Sequence, residues 1–128
     1  MTELLTLRLG FSPCPNDTFM FHGLVHGLID TDLAFTPWFA DIEALNRRAL
    51  GDDPLPVTKL SVAVLDQIAD RYELLRSGAA LGRGVGPLVV ARERVELGRL
   101  GGPVAVPGRH TTAPGSASPR KYWSSRAV

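Results

Sequence analysis

An α/β fold with a largely parallel sheet covered by helices is what this sequence predicts, and three observations predict it. Short apolar runs of strand length alternate with segments whose apolar residues recur at helical spacing. The runs lead into loops rich in Ser, Thr, Asn, Asp, Pro and Gly, the residue types that turn the chain and open helices. A chain of 128 residues, 45% hydrophobic and 21% charged, has the size and composition for one modest core.

The first run, Leu4, Leu5, Leu7, Leu9 and Phe11, predicts a buried strand that ends in the rigid loop Ser12-Pro13-Cys14-Pro15. Asn16, Asp17 and Thr18 are residue types that satisfy the free N–H groups of a first helical turn, and Phe19-Met20-Phe21, Leu24, Val25 and Leu28 supply an apolar helix body that finishes near Gly27. Leu33-Ala34-Phe35-Thr36-Pro37 reads as a second strand, and Asp41 as the cap of a helix carrying Ile42, Leu45 and Ala49. After the turn Gly51-Asp52-Asp53-Pro54, a third strand is expected over Leu55 to Leu60. Ser61 then opens a helix through Val62, Leu65, Ile68 and Ala69. Glu73-Leu74-Leu75-Arg76, Pro87-Leu88-Val89-Val90-Ala91 and Val104-Ala105-Val106 are expected as further strands. The last leads into Pro107 to Ala113, a loop of the kind that delivers a helix, yet from Pro114 onward no apolar periodicity remains, and 114–128 reads as a disordered or frame-shifted tail.

Fourteen basic against thirteen acidic residues leave a formal net charge of +1, too balanced for a nucleic-acid or membrane-surface footprint. The tail holds Arg120, Lys121 and Arg126 and no acid, so it differs in kind from the rest. Cys14 is the single cysteine and cannot form an internal disulfide. The amino terminus shows no secretory pattern and no apolar stretch is long enough to span a bilayer, which predicts a cytoplasmic protein.

Three loops carry the chemistry: Ser12 to Thr18, Thr58 to Ser61, and Arg109 to Ala113. In a parallel sheet such loops meet at the carboxyl edge, where hydroxyls and helix-start N–H groups suit a carboxylate or phosphate. Taken singly, each reads first as an ordinary cap or turn. Gly82-Arg83-Gly84-Val85-Gly86 precedes a strand instead of opening a helix and lacks dinucleotide spacing, so a nucleotide is not expected. His22 and His26 share a helical face but find no third metal ligand, so no metal is expected; His110 is a loop-contact candidate. Cys14 lacks a neighbouring base in sequence and is read as a small residue in a rigid loop.

Taken together, Leu9-Gly-Phe-Ser-Pro-Cys-Pro-Asn-Asp-Thr-Phe19, Thr58-Lys-Leu-Ser61, Gly82-Arg-Gly-Val-Gly-Pro87 and Val106-Pro-Gly-Arg-His-Thr-Thr-Ala113 resemble, in order, the motifs of the 1,4-dihydroxy-6-naphthoate synthase family of menaquinone biosynthesis. Leu24-Val25-His26-Gly27 and Asp41-Ile-Glu-Ala-Leu-Asn46 are also in keeping. The resemblance implies a two-lobed fold like that of type II periplasmic binding proteins, with residues 1–95 as the first lobe and 96–113 as the start of the second. It implies a lyase of the futalosine route that cleaves cyclic dehypoxanthinylfutalosine to 1,4-dihydroxy-6-naphthoate without metal or organic cofactor.

By the same resemblance, Lys59, Leu60, Ser61, Thr112 and Ala113 contact the substrate, a small carboxylate. Asn16, Asp17, His110 and Thr111 are further loop contacts, the first two shaping and capping their loop. The family's proton-abstracting histidine is expected in a second-lobe segment past the Thr-Thr-Ala loop. None of His22, His26 and His110 matches it, so the chain alone is expected to be inactive. A carboxylate-binding module, a relative like chorismate dehydratase and a non-functional product of a frame shift stand as alternatives. The oligomeric state stays open.

Overall fold

The computed structural model describes residues 4–80, 83, 90–94, 96 and 105–112. Strand β1 (Leu5–Phe11) leads to helix α1 (Pro15–Val25), then β2 (Leu33–Phe39), helix α2 (Ile42–Leu50), the two-residue β3 (Val57–Thr58), a 3-10 turn (Val62–Val64) and the short helix α3 (Leu65–Ile68). The sheet is all parallel in the order β2-β1-β3. β1 lies in the middle, running from Leu5↔Leu33 to Phe11↔Phe39 against β2 and meeting β3 at Leu9↔Val57 and Gly10↔Thr58. Parallel pairing puts every strand's carboxyl end on one edge, and that edge is where the loops gather.

The core is built where β1, α2 and α3 meet. Leu9, Phe11, Leu45, Ala49, Leu55, Val64 and Ile68 are all buried there. The Phe11 ring lies 4.9 Å from both Phe21 of α1 and Phe39 of β2, a spacing at which aromatic edges and faces attract. Gly10 sits in the tightest part. A side chain at Gly10 would meet Leu55, the Thr58 hydroxyl at 2.8 Å and Leu45 at 2.9 Å, so the close approach of β1 to β3 and α2 depends on its missing Cβ. On the outer surface Asp53 pairs with Arg8 and Arg48, and the Arg48 guanidinium lies 4.6 Å from the Trp38 ring centre.

Several expectations are corrected. The third strand is two residues long, not six, because Pro54 and Pro56 withhold backbone donors on either side of Leu55. Glu73-Leu74-Leu75-Arg76 forms no strand; Leu74 and Leu75 are exposed, and among the described residues these positions have no neighbouring strand to pair with. Ala105 and Val106 are likewise not in a strand, while Val104 lies outside the described residues. Of the strand expected at Pro87 to Ala91, only Val90 and Ala91 are described, and neither is in a strand. The glycine-rich string lies outside the described residues except for Arg83, as do Ala113 and 114–128. The backbone turns helical at Thr112, the last residue described.

Gly10→Ala is expected to lower stability by about 1–3 kcal/mol through overpacking. The measurement is the urea midpoint at unchanged m-value; an unaltered midpoint would show that the β1–β3–α2 contact is not as tight as described.

Candidate functional site

The first loop is shaped by one carboxylate. Pro15 starts α1, and Cys14 in the preceding position makes no side-chain cap. Asp17, instead of capping the helix as its residue type suggests, turns back. It accepts hydrogen bonds from the Ser12 N–H (3.1 Å) and hydroxyl (2.6 Å), and pairs with the Lys59 ammonium. Asp17 is fully buried, whereas the Lys59 side chain is about a quarter exposed. Burial pushes the Asp17 carboxyl up, but the donors of Lys59 and Ser12 outweigh it and hold it below its ordinary value. The pair joins the loop after β1 to the loop after β3, across 42 residues of sequence.

The second junction is made by α2. Asp41 caps this helix by accepting from the Ala44 N–H at 2.9 Å and so sets its start. From that helix Asn46, fully enclosed, turns its carboxamide toward two loops. Its Oδ1 accepts the Ser61 N–H (2.9 Å), and its Nδ2 donates to the Ser61 hydroxyl oxygen (3.0 Å) and to the His110 carbonyl (2.9 Å). Because Ser61 Oγ accepts from Asn46, its own hydroxyl proton is free to donate, and among the described residues nothing accepts it.

One turn earlier on α2, Glu43 holds the third loop. Its carboxylate accepts from the His110 N–H and meets the ring Nδ1, at 2.9 and 2.7 Å, and it also accepts from Arg47 Nε at 3.1 Å. Burial raises the Glu43 carboxyl, but these donors, led by His110, bring it below its ordinary value. Thr111 is buried, and its hydroxyl donates to the Gly108 carbonyl at 3.1 Å, closing a tight turn.

Thus the structure brings together Asp17, Lys59, Ser61, His110 and Thr111 at one edge, with Leu60 half-buried and Thr112 exposed beside them. Asn16 is exposed on α1 and takes no part in this network. Ala113 lies outside the described residues. Sequence reasoning missed Asn46 and Glu43 as organising residues. Their signal was present: two polar side chains three apart, interleaved with the apolar Ile42, Leu45 and Ala49 of a single helix. The His22 and His26 rings lie 4.4 Å apart, both residues exposed, and among the described residues no group of three or more ligand-type side chains could hold a metal. No helix among the described residues is long and apolar enough to cross a membrane. Chemically, the described residues of the edge offer the hydroxyl of the buried Ser61 as a donor and a loop bound back to α2.

Comparison with known proteins adds to this. The model of a family described as menaquinone biosynthesis matches residues 7–114. A Thermus thermophilus protein named 1,4-dihydroxy-6-naphtoate synthase is 61% identical over 107 residues, covering 84% of this chain and 39% of its own length. A Streptomyces coelicolor protein of the same name is 46% identical over 108 residues, covering 84% and 38%. Among solved structures, the crystal structure of an Archaeoglobus fulgidus protein is similar at a TM-score of 0.73 and 40% identity, covering 84% of this chain and 40% of that one. The chain therefore spans well under half the length of the relatives it matches.

Asn46→Asp keeps the acceptor for the Ser61 N–H but removes both donors and buries a charge; it is expected to cost about 3 kcal/mol or more. Chemical denaturation measures this, and a loss within error of zero would remove Asn46 as an organising group. Both Asp17 and Glu43 titrate below their ordinary values when folded. Their stabilisation is therefore complete above the ordinary carboxylate range, about pH 4 to 4.5, and is lost as pH falls through the depressed values. Circular dichroism across that window is expected to show a flatter acid dependence for Asp17→Asn than for the unaltered chain.

Proposed function

The chain belongs to the menaquinone biosynthesis family, and from that premise we propose that it forms one substrate-binding lobe of a 1,4-dihydroxy-6-naphthoate synthase. The full reading is a carbon–carbon lyase of two α/β lobes, built like a type II periplasmic binding protein, acting in the cytoplasm on cyclic dehypoxanthinylfutalosine. Residues 1–95 form the first lobe and 96–113 begin the second.

What carries this reading is the Asn46 junction. It leaves the proton of the buried Ser61 hydroxyl unspent and ties the His110 loop, two residues before the exposed Thr112, to the same side chain. A carboxylate or sugar oxygen brought to this edge accepts from the Ser61 hydroxyl, with Leu60 and the Thr112 hydroxyl as further contacts. The Lys59 ammonium is committed to Asp17, so its contribution to an anion is the field of a neutralised pair and the position of its loop. Orientation of substrate by such pre-paired donors lowers the barrier by reducing the freedom lost on reaction. The assembled residues hold and orient; no proton transfer is assigned to them.

Titration of the purified chain with 1,4-dihydroxy-6-naphthoate, followed by the intrinsic fluorescence of the naphthoate, tests the reading. Saturable binding is expected, and Ser61→Ala is expected to weaken it about tenfold, the loss of one hydrogen bond to a charged group. Binding of chorismate analogues in preference to the naphthoate would replace this reading with that of the sister enzyme. Binding of neither would leave it without support. Incubation with the cyclic substrate separates binding from turnover: naphthoate release would add a catalytic role to the residues assembled here.

A further inference from the structure

The third loop reaches its place through a contact that the functional reading does not use. Glu43 meets His110 twice, through the backbone N–H and through ring Nδ1, using both carboxylate oxygens. The two partners are 67 residues apart in sequence. The approach is so close that a Cβ on Gly108 would overlap the Glu43 side chain, with Glu43 Cβ and Cδ both at 2.6 Å. Glu43 is buried, with an 11% exposed side chain, and Arg47 covers it on the outer side.

A carboxylate in that position does more than fill space. Asn46 already holds the His110 carbonyl, so the peptide units on the two sides of His110 are gripped separately from neighbouring turns of α2: the N–H by Glu43 and the C=O by Asn46. Two grips on one residue fix both its position and its rotation, which one grip does not. The following residues, Thr111 and Thr112, take their direction from it.

We propose that Glu43 is a positioning residue for the substrate-binding edge. With Gly108 as the residue that admits it, Glu43 sets the orientation of the Thr111–Thr112 segment toward Ser61, and it does so without touching substrate. The inference rests on the reading of that edge as a naphthoate-binding site.

Two variants test it in the full chain. Glu43→Gln removes the charge and leaves one acceptor oxygen where two now serve the His110 N–H, the ring Nδ1 and Arg47 Nε. Gly108→Ala retains every charged group of the chain and pushes Glu43 away from the loop. Three readouts are taken for each: amide hydrogen exchange at His110 and Thr111, thermal melting, and the dissociation constant for 1,4-dihydroxy-6-naphthoate. Both variants are expected to speed exchange at His110 and Thr111 and to weaken naphthoate binding about tenfold, the scale of one lost charge-assisted hydrogen bond. Protection of the Lys59 amide, which bonds to the Gly10 carbonyl at 2.7 Å, is expected to stay unchanged, showing that the sheet is intact. Should one variant fail to fold, the other carries the comparison by itself. Faster loop exchange with unchanged naphthoate affinity overturns the positioning role and leaves the proposed function standing. Failure of the unaltered chain to bind naphthoate overturns both, and the loop exchange then reports Glu43 as a purely structural clamp.

Discussion

Asn46 has no contact with solvent, so its carboxamide must find every partner inside the protein or leave a buried polar group unpaired at a cost of about 1–3 kcal/mol each. It finds them on two loops, one after β3 and one near residue 110. The requirement works in both directions. The N–H of the buried Ser61 and the carbonyl of the partly buried His110 are themselves polar groups that α2 is placed to pair. The geometry of the edge follows from that mutual need: where α2 packs against β1, there the two loops must come.

The sheet makes the arrangement reachable. Parallel strands send their carboxyl ends to one edge, and β1, central in the order β2-β1-β3, has neighbours on both sides. Gly10 lets α2 and β3 close onto β1. That brings the loop of Ser12 to Asp17 within reach of Lys59, and the buried Asp17 carboxylate is neutralised there by donors from both sides. Burying an ion pair is a poor route to stability for its own sake, because desolvation opposes the attraction. Its effect here is to specify register between two loops, since a displaced Lys59 would leave a buried charge alone.

Asp17, Asn46 and Glu43 therefore form a set of enclosed polar side chains, each tying one surface loop to another element. The hydrophobic core beneath them, with Leu9, Leu45, Leu55, Val64 and Ile68, holds the layers together but has no means of choosing the angle at which a loop presents its hydroxyls. Directional hydrogen bonds do that.

The sequence by itself determined the strand and helix alternation up to Ile68, because apolar period and cap residues such as Asp41 act over a few neighbouring positions. It also determined which loops carry the hydroxyls of Ser61 and Thr112, and, through four ordered motifs, the family. It overstated strands wherever a short apolar run stood alone: Leu74 and Leu75 satisfy the composition of a strand, but a strand exists only when another edge pairs with it. Tertiary structure decided the rest. Asp17 looked like a cap, and became a link to Lys59. Glu43 and Asn46 looked like ordinary helix residues, and became the grips on His110, because partners separated by as many as 67 positions are chosen by packing and leave no local period in the text.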